Sequence, residues 1–132
     1  MTSPRVLVVD DDADMRMLMG ALLEHLGASV STAGDPDELA AAMDDPVDLI
    51  LLDLVMPGQA YDDSVAVLVE RAVAAPICLL SGSGTQTLTE ARARLDTAGL
   101  RTVMPLTKPA RLDALGVLLA SLHPPAEPDR TS

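Results

Sequence analysis

Aromatic residues are almost missing from this chain: its 132 residues include one Tyr and no Phe or Trp. The core must therefore be aliphatic, and no platform exists on which bases or sugar rings could stack. Cysteine occurs once, at Cys78, so no internal disulfide can form; its place in an apolar run makes it a small core residue. Positive charge is scarce, with 9 Lys and Arg against 20 Asp and Glu and a formal net charge of −11. That balance, with no basic stripe anywhere, argues against nucleic-acid binding and against docking on anionic membrane. The apolar runs are too short to cross a bilayer, and the Met1-Thr2-Ser3-Pro4-Arg5 start has no signal-peptide layout. A cytoplasmic location is the expectation. Within the small basic set lies a sharper scarcity: eight of the nine are Arg, and Lys108 is the only lysine. An ammonium acts as a point charge where a guanidinium is a planar fork, so the two are not interchangeable. Chance alone could also produce one lysine.

What is present is aliphatic and periodic. Hydrophobic residues make up 48% of the chain, and its length fits one domain with one core. Arg5 to Val9 is a β-branched run that ends in Asp10-Asp11-Asp12. Asp14 is the expected N-cap of a first helix, on which Met15, Leu18, Met19, Leu22, Leu23 and Leu26 recur at helical spacing until Gly27 closes it. Ala28 to Ala33 alternates like a half-exposed edge strand. Asp35 then caps, and Pro36 opens, a short Ala-rich helix reaching about Met43. Ile50-Leu51-Leu52 is an unbroken apolar run, the mark of a parallel strand covered on both faces, and it ends at Asp53 before breaking at Pro57-Gly58. Gln59 to Asp63 reads as irregular, and Val65 to Val73 as a third helix. Pro76 to Leu80 is a fourth buried strand that runs into Ser81-Gly82-Ser83-Gly84; a helix from Gln86 to Ala98 follows. Arg101 to Thr107 reads as strand five, with Pro105 tolerated on an edge, and Lys108-Pro109 comes after it. Arg111 to Leu122 is the last helix, with Leu112, Leu115, Leu118, Leu119 and Leu122 on its apolar side. Residues 4–122 form the domain, and 123–132 read as a Pro-rich disordered tail.

Five strands alternating with five helices predict an α/β doubly wound parallel sheet. The flavodoxin-like order 2-1-3-4-5 is the expected one. Chemistry in such sheets collects at the carboxyl ends of the strands. Those ends carry Asp10, Asp11 and Asp12, then Asp53, Ser81, Thr107 and Lys108. The predicted order makes strands one and three neighbours, so their carboxylates converge. Mg²⁺ relieves the repulsion of gathered acids and takes few protein ligands. A carboxylate beside a metal, an ammonium and a hydroxyl suits phosphoryl transfer onto Asp53, although a strand-ending aspartate can also be no more than a turn-forming cap. Other chemistries fit less well. No His/Cys metal set and no P-loop is present, and Ser81 lacks the glycine two residues earlier that a nucleophile elbow needs. His25 falls on a helix surface and His123 in the tail, both away from strand ends.

These residues resemble the receiver domain of bacterial two-component response regulators, including the single-domain chemotaxis receivers. The resemblance spans about residues 4–122 and rests on Val8-Val9-Asp10-Asp11-Asp12, Leu51 to Gly58, Leu79-Leu80-Ser81-Gly82 and Thr107-Lys108-Pro109. By that resemblance Asp53 is the phosphoacceptor, Asp11 binds Mg²⁺ directly, Asp10 binds it mostly through water, and the Val55 carbonyl is a further ligand. Ser81 and Lys108 contact the phosphoryl group. The donor is a phosphohistidine on a sensor histidine kinase or a histidine phosphotransfer protein. The implied product is a change in binding to a downstream protein, without a DNA-binding output of its own, from a monomer or weak dimer. It is not an enzyme beyond its own phosphorylation and dephosphorylation. The chain also departs from the family. Pro105 occupies the position of the usual Tyr or Phe switch, Ser81 replaces the commoner Thr, Ala110 replaces a frequent Phe, and the Gly99-to-Lys108 stretch is about one residue long. Any response is therefore expected to run through Ser81 and Gly82-Ser83-Gly84 into helix four. Val55 and Ser83, at the positions that tune phosphoryl lifetime, imply slow to moderate self-dephosphorylation. With Leu18, Leu22 and Leu26 facing the core, Met17 and part of Met15 are either a docking surface or core filler. Two alternatives stay open: a phosphorylation-independent scaffold with the same fold, and an Asp-nucleophile phosphatase. The latter would need an aspartate where Val55 stands.

Overall fold

The structure, a computed structural model, describes residues 3–54, 56, 58–82, 85–108 and 111–122. Its strands are β1 (Arg5–Val9), β2 (Ser29–Ala33), β3 (Leu49–Asp53), β4 (Ile77–Ser81) and β5 (Leu106–Thr107). They alternate with α1 (Ala13–His25), α2 (Pro36–Ala42), α3 (Ala60–Glu70), α4 (Thr85–Thr97) and α5 (Leu112–Ser121). All neighbouring strands pair in parallel, in the order β2-β1-β3-β4-β5. The flavodoxin-like doubly wound sheet expected from the sequence is what the chain forms. The expected tail, 123–132, lies outside the described residues.

Strand alternation divides the core between the two faces of the sheet. Val6, Val8, Leu49, Leu51, Cys78 and Leu80 pack with Met19 and Leu23 of α1 and Leu115, Leu118 and Leu119 of α5. Leu7, Val9, Ile50, Leu52, Ile77 and Leu79 pack on the other face with Leu39 of α2, Val65 and Leu68 of α3 and Leu95 of α4. Both parities of β1, β3 and β4 are thus covered, which is why these strands read as unbroken apolar runs. The β2 edge, half exposed, carries Ser and Thr.

Four local expectations are corrected. The α1 cap is Asp12, not Asp14: Asp12 has extended backbone, and its Oδ1 accepts from the amides of Asp14 at 2.9 Å and Met15 at 3.4 Å. Asp14 instead sits inside the first turn, where a carboxylate is favoured by the helix dipole. Leu18 does not face the core. It is 43% exposed, and Met19 and Leu23 fill that stripe; Leu112 on α5 is likewise exposed. Helix α3 begins at Ala60, five residues before the apolar run that signalled it. Asp62 and Asp63 in its first turn complement the dipole, and Gly58 reaches φ +62° in the turn before it.

The fourth correction concerns β5. Thr102 bridges Ile77, and Leu106 pairs with Leu80, so four steps along this edge oppose three along β4. One residue is extra, and the strand bulges across Val103–Pro105 instead of running from Arg101 to Thr107. Pro105 has no amide hydrogen to continue a ladder. The Cys78 thiol approaches the Met104 carbonyl at 3.4 Å inside the bulge. Burial pushes this thiol up to about 12, so it stays protonated and inert. Past the bulge, Lys108 N donates to Ser81 O at 2.8 Å and restores the register.

Leu51 is fully buried between β1, β4 and the α1/α5 layer. Leu51→Ala should lower unfolding free energy by about 2–5 kcal/mol in urea denaturation. Leu18→Ala should cost less than about 1 kcal/mol. Equal losses would contradict both the buried stripe of α1 and the parity of β3.

Candidate functional site

Three strand tips build the site. Val9 lies opposite Leu52, so the next step sets Asp10 of the β1 end opposite Asp53, the last residue of β3. Asp10 continues the parity of Val6 and Val8, and Asp53 that of Leu49 and Leu51; both belong to the α1/α5 side. Lys108 follows β5 and continues the parity of Leu106, which packs on that same side. Backbone bonds beyond the strands hold the rim in register: Asp10 N to Ala33 O at 3.0 Å, Leu54 N to Leu80 O at 3.0 Å, and Lys108 N to Ser81 O at 2.8 Å.

The three side chains meet. Lys108 Nζ stands 3.2 Å from Asp10 Oδ2 and 3.3 Å from Asp53 Oδ2. Both aspartates are buried, at 0% and 1% exposure. Asp10 Oδ1 accepts from the Asp12 amide at 2.9 Å. Its Oδ2 is within ion-pair range of the ammonium but off the angle of a hydrogen bond, and accepts none. Exposed Asp11 completes an acidic group: one carboxylate oxygen from each of Asp10, Asp11 and Asp53 lies within 4.8 Å of the others. Three carboxylates thus face one ammonium. A buried carboxylate oxygen without a hydrogen bond, in an all-oxygen set rich in negative charge, fits a hard divalent ion such as Mg²⁺.

Burial pulls the Lys108 ammonium down, but the Asp10 and Asp53 carboxylates outweigh it and hold its pKa above the ordinary 10.5. Ser81 ends β4 at the same rim, buried, but on the parity of Ile77 and Leu79, the side of α2, α3 and α4. Sequence reasoning therefore brought Asp10, Asp11, Asp53 and Lys108 together correctly, and it placed Ser81 on the adjoining strand tip. Val55, Ser83 and Gly84 lie outside the described residues, and with them the expected carbonyl ligand, the lifetime-tuning positions and most of the loop toward α4. Met17 is 73% exposed on α1, as the docking alternative requires, while Met15 is half-buried and packs against the α1/α5 core.

Sequence reasoning missed Arg16. Its Nη1 donates to the Asp10 carbonyl at 2.7 Å, reaching back from α1 to the tip of β1. A main-chain carbonyl carries no sequence signature, so only the position of an Arg one turn past the acidic run could have hinted at it. Tyr61, the sole aromatic, lines a cavity of about 270 Å³ with Leu54, Glu90, Ala91 and Arg94. Burial pushes its phenol up, partly opposed by the Arg94 guanidinium.

The raised ammonium fixes the sign of a pH effect. A lysine whose folded pKa lies above its unfolded value stabilises fully below about 10.5 and loses that contribution as pH rises through the folded value. The stability difference between wild type and Lys108→Met should therefore be constant between about pH 7 and pH 10, where the carboxylates stay ionised, and shrink above it. Urea midpoints of the two proteins measured side by side across that range check this, and parallel curves would refute it.

No helix of the described residues is long and apolar enough to cross a membrane. Residues 6–119 match the family described as the response regulator receiver domain. The transcriptional regulatory protein CpxR of Klebsiella pneumoniae is 34% identical over 82 residues, covering 62% of this chain and 35% of that protein. The transcriptional regulatory protein PrrA of Mycobacterium bovis is 42% identical over 83 residues, covering 61% and 35%. This chain thus spans about a third of the length of the curated relatives it matches. Among solved structures, a response regulator from Colwellia psychrerythraea superposes with a TM-score of 0.76 at 27% identity, covering 92% of this chain and 97% of that one. The Vibrio cholerae chemotaxis protein CheY4 gives 0.74 at 27% identity, covering 92% and 99%. The fold, the order of its strands and the acids gathered at one rim agree with this match: the chain belongs to the response regulator receiver domain family of two-component signalling.

Proposed function

We propose that this receiver takes a phosphoryl group onto Asp53 from a phosphohistidine, carried by a sensor histidine kinase or a histidine phosphotransfer protein, and that the modified domain changes its binding to a downstream protein. The observation that carries the proposal is the charge imbalance at the rim. Asp10 and Asp53, both buried, share the one Lys108 ammonium, and Asp10 Oδ2 accepts no hydrogen bond. With exposed Asp11 beside them, three carboxylates are set against one ammonium, and the negative charge left over supports a cation at this rim and a carboxylate available as nucleophile.

Asp10, Asp11 and Asp53, with the Val55 carbonyl, are the residues that would hold Mg²⁺. When bound, the ion offsets negative charge on the phosphoryl oxygens. An Asp53 oxygen attacks phosphorus, an O–P bond forms as the P–N bond breaks, and the electron pair returns to the imidazole nitrogen of the donor. Lys108 stabilises charge on the transferring oxygens. Ser81 donates its hydroxyl to one of them, which couples the occupied site to β4 and the start of α4. Pro105 favours a second reading, a scaffold that binds its partner constitutively, because a half-buried proline in a bulged edge offers no aromatic rotamer to respond to phosphate.

Incubation with Mg²⁺ and acetyl phosphate should give a base-labile adduct one phosphoryl heavier, mapped to Asp53 by mass spectrometry and missing in Asp53→Asn. Chelating the metal should suppress the adduct, and Lys108→Met should slow its formation by roughly 100-fold, the scale of losing one preorganised charge. Partner binding that persists without any adduct would select the scaffold instead.

A further inference from the structure

The Asp10 residue is fixed at three of its four polar atoms. Its amide donates to Ala33 O of β2, its Oδ1 accepts from Asp12 N, and its carbonyl accepts from Arg16 Nη1 at 2.7 Å. The fourth, Oδ2, faces the interior of the site, where it is ion-paired with Lys108 at 3.2 Å. The carbonyl bond matters most for Asp11, because that carbonyl belongs to the Asp10–Asp11 peptide. Rotating that plane would swing the Asp11 carboxylate relative to Asp10 and Asp53. The guanidinium is confined on its other side by the loop after β2. A Cβ added at Gly34 would lie 2.6 Å from Arg16 Nη1 and 3.1 Å from its Cζ, with Glu38 Oε1 3.3 Å away. Glu38 in turn accepts the Gly34 amide at 2.6 Å and holds this loop in place. Gly34 does not have the positive φ of Gly27, Gly58 and Gly99, so its backbone would accept alanine. A side chain at residue 34 would therefore displace the Arg16 tip without straining the backbone.

We propose that Arg16 is a positioning residue for the divalent-cation site, setting the Asp10–Asp11 peptide so that both carboxylates present to one ion, and that Gly34 is the passage through which it does so. This rests on the phosphoacceptor reading and extends it to two residues that touch neither the ion nor the phosphoryl group. Partners that orient a metal ligand typically matter by about 10–100-fold in affinity.

The two positions supply a test that separates geometry from charge. Arg16→Gln removes a positive charge near the acids, which by Coulomb attraction alone would tighten cation binding. Gly34→Ala keeps that charge and displaces the flexible tip of the Arg16 side chain, with Glu38 Oε1 giving slightly. Mg²⁺ affinity is read by titrating the backbone amide resonances of wild type, Gly34→Ala, Arg16→Gln and the double variant, with urea midpoints in EDTA as the control for folding. Each single variant should bind Mg²⁺ roughly 10-fold more weakly, the double variant no more weakly than either, and Gly34→Ala should keep its metal-free stability. A Gly34→Ala protein that binds Mg²⁺ like wild type, or losses that multiply in the double variant, would overturn the positioning role alone. A wild type that takes up no Mg²⁺ would overturn both this role and the reading beneath it.

Discussion

Two acids at adjacent strand tips, both out of water and opposed by one ammonium, are the constraint from which the rest of this structure follows. At about 3 Å and an effective dielectric near 20, each carboxylate–ammonium contact is worth several kcal/mol of attraction, and a comparable repulsion acts between the acids. Buried ion pairs seldom stabilise a fold beyond what apolar residues of the same size would do. The arrangement therefore makes sense as a site and not as a strut. Its geometry depends on strand register and pleat parity, which bring Asp10, Asp53 and Lys108 out on one side of the sheet. The double aliphatic core exists to hold those registers still.

The parts legible in the sequence are those whose physics is local or periodic. Strands β1, β3 and β4 are readable because coverage on both faces leaves no polar positions to interrupt them. The half-exposed β2 betrays its edge by alternation, and α2 by its Asp35-Pro36 start. With the strand order inferred, the meeting of Asp10, Asp11, Asp53 and Lys108 follows from topology alone. Where several equivalent groups compete, residue order offers no way to choose. Asp12 and Asp14 are equally good caps by composition, and the backbone conformation at residue 12 decides between them. Helix α3 is hidden at its start because Gln59 offers no side-chain cap, leaving only Asp62 and Asp63 as a weak electrostatic signal. Leu18 misleads because α1 carries more apolar residues than its buried stripe can hold. Arg16 is invisible because its partner is a peptide carbonyl, a group that every residue possesses.

The scarcity of aromatics has a structural counterpart. Tyr61, the one ring in the chain, lies on α3 beside Leu54, the residue that follows the candidate phosphoacceptor, and not on β5. Beside it, Arg94 of α4 forms an ion pair with Asp62 of α3 at 2.7 Å. This surface ion pair adds to the buried aliphatic contacts that Val65, Leu68, Ala91 and Leu95 of the two helices make with the sheet.

The bulge at Val103–Pro105 matters beyond the register it repairs. A long, regular strand at the border of a sheet exposes a row of unpaired backbone donors and acceptors, an open template for another chain to extend the sheet. In this fold that border is cut to two paired residues and one bridge, and a proline takes away one of the donors a neighbouring backbone would need. Growth by strand addition is disfavoured along this side of the sheet. A partner meeting this edge would find few backbone groups to pair with and mostly side chains to recognise.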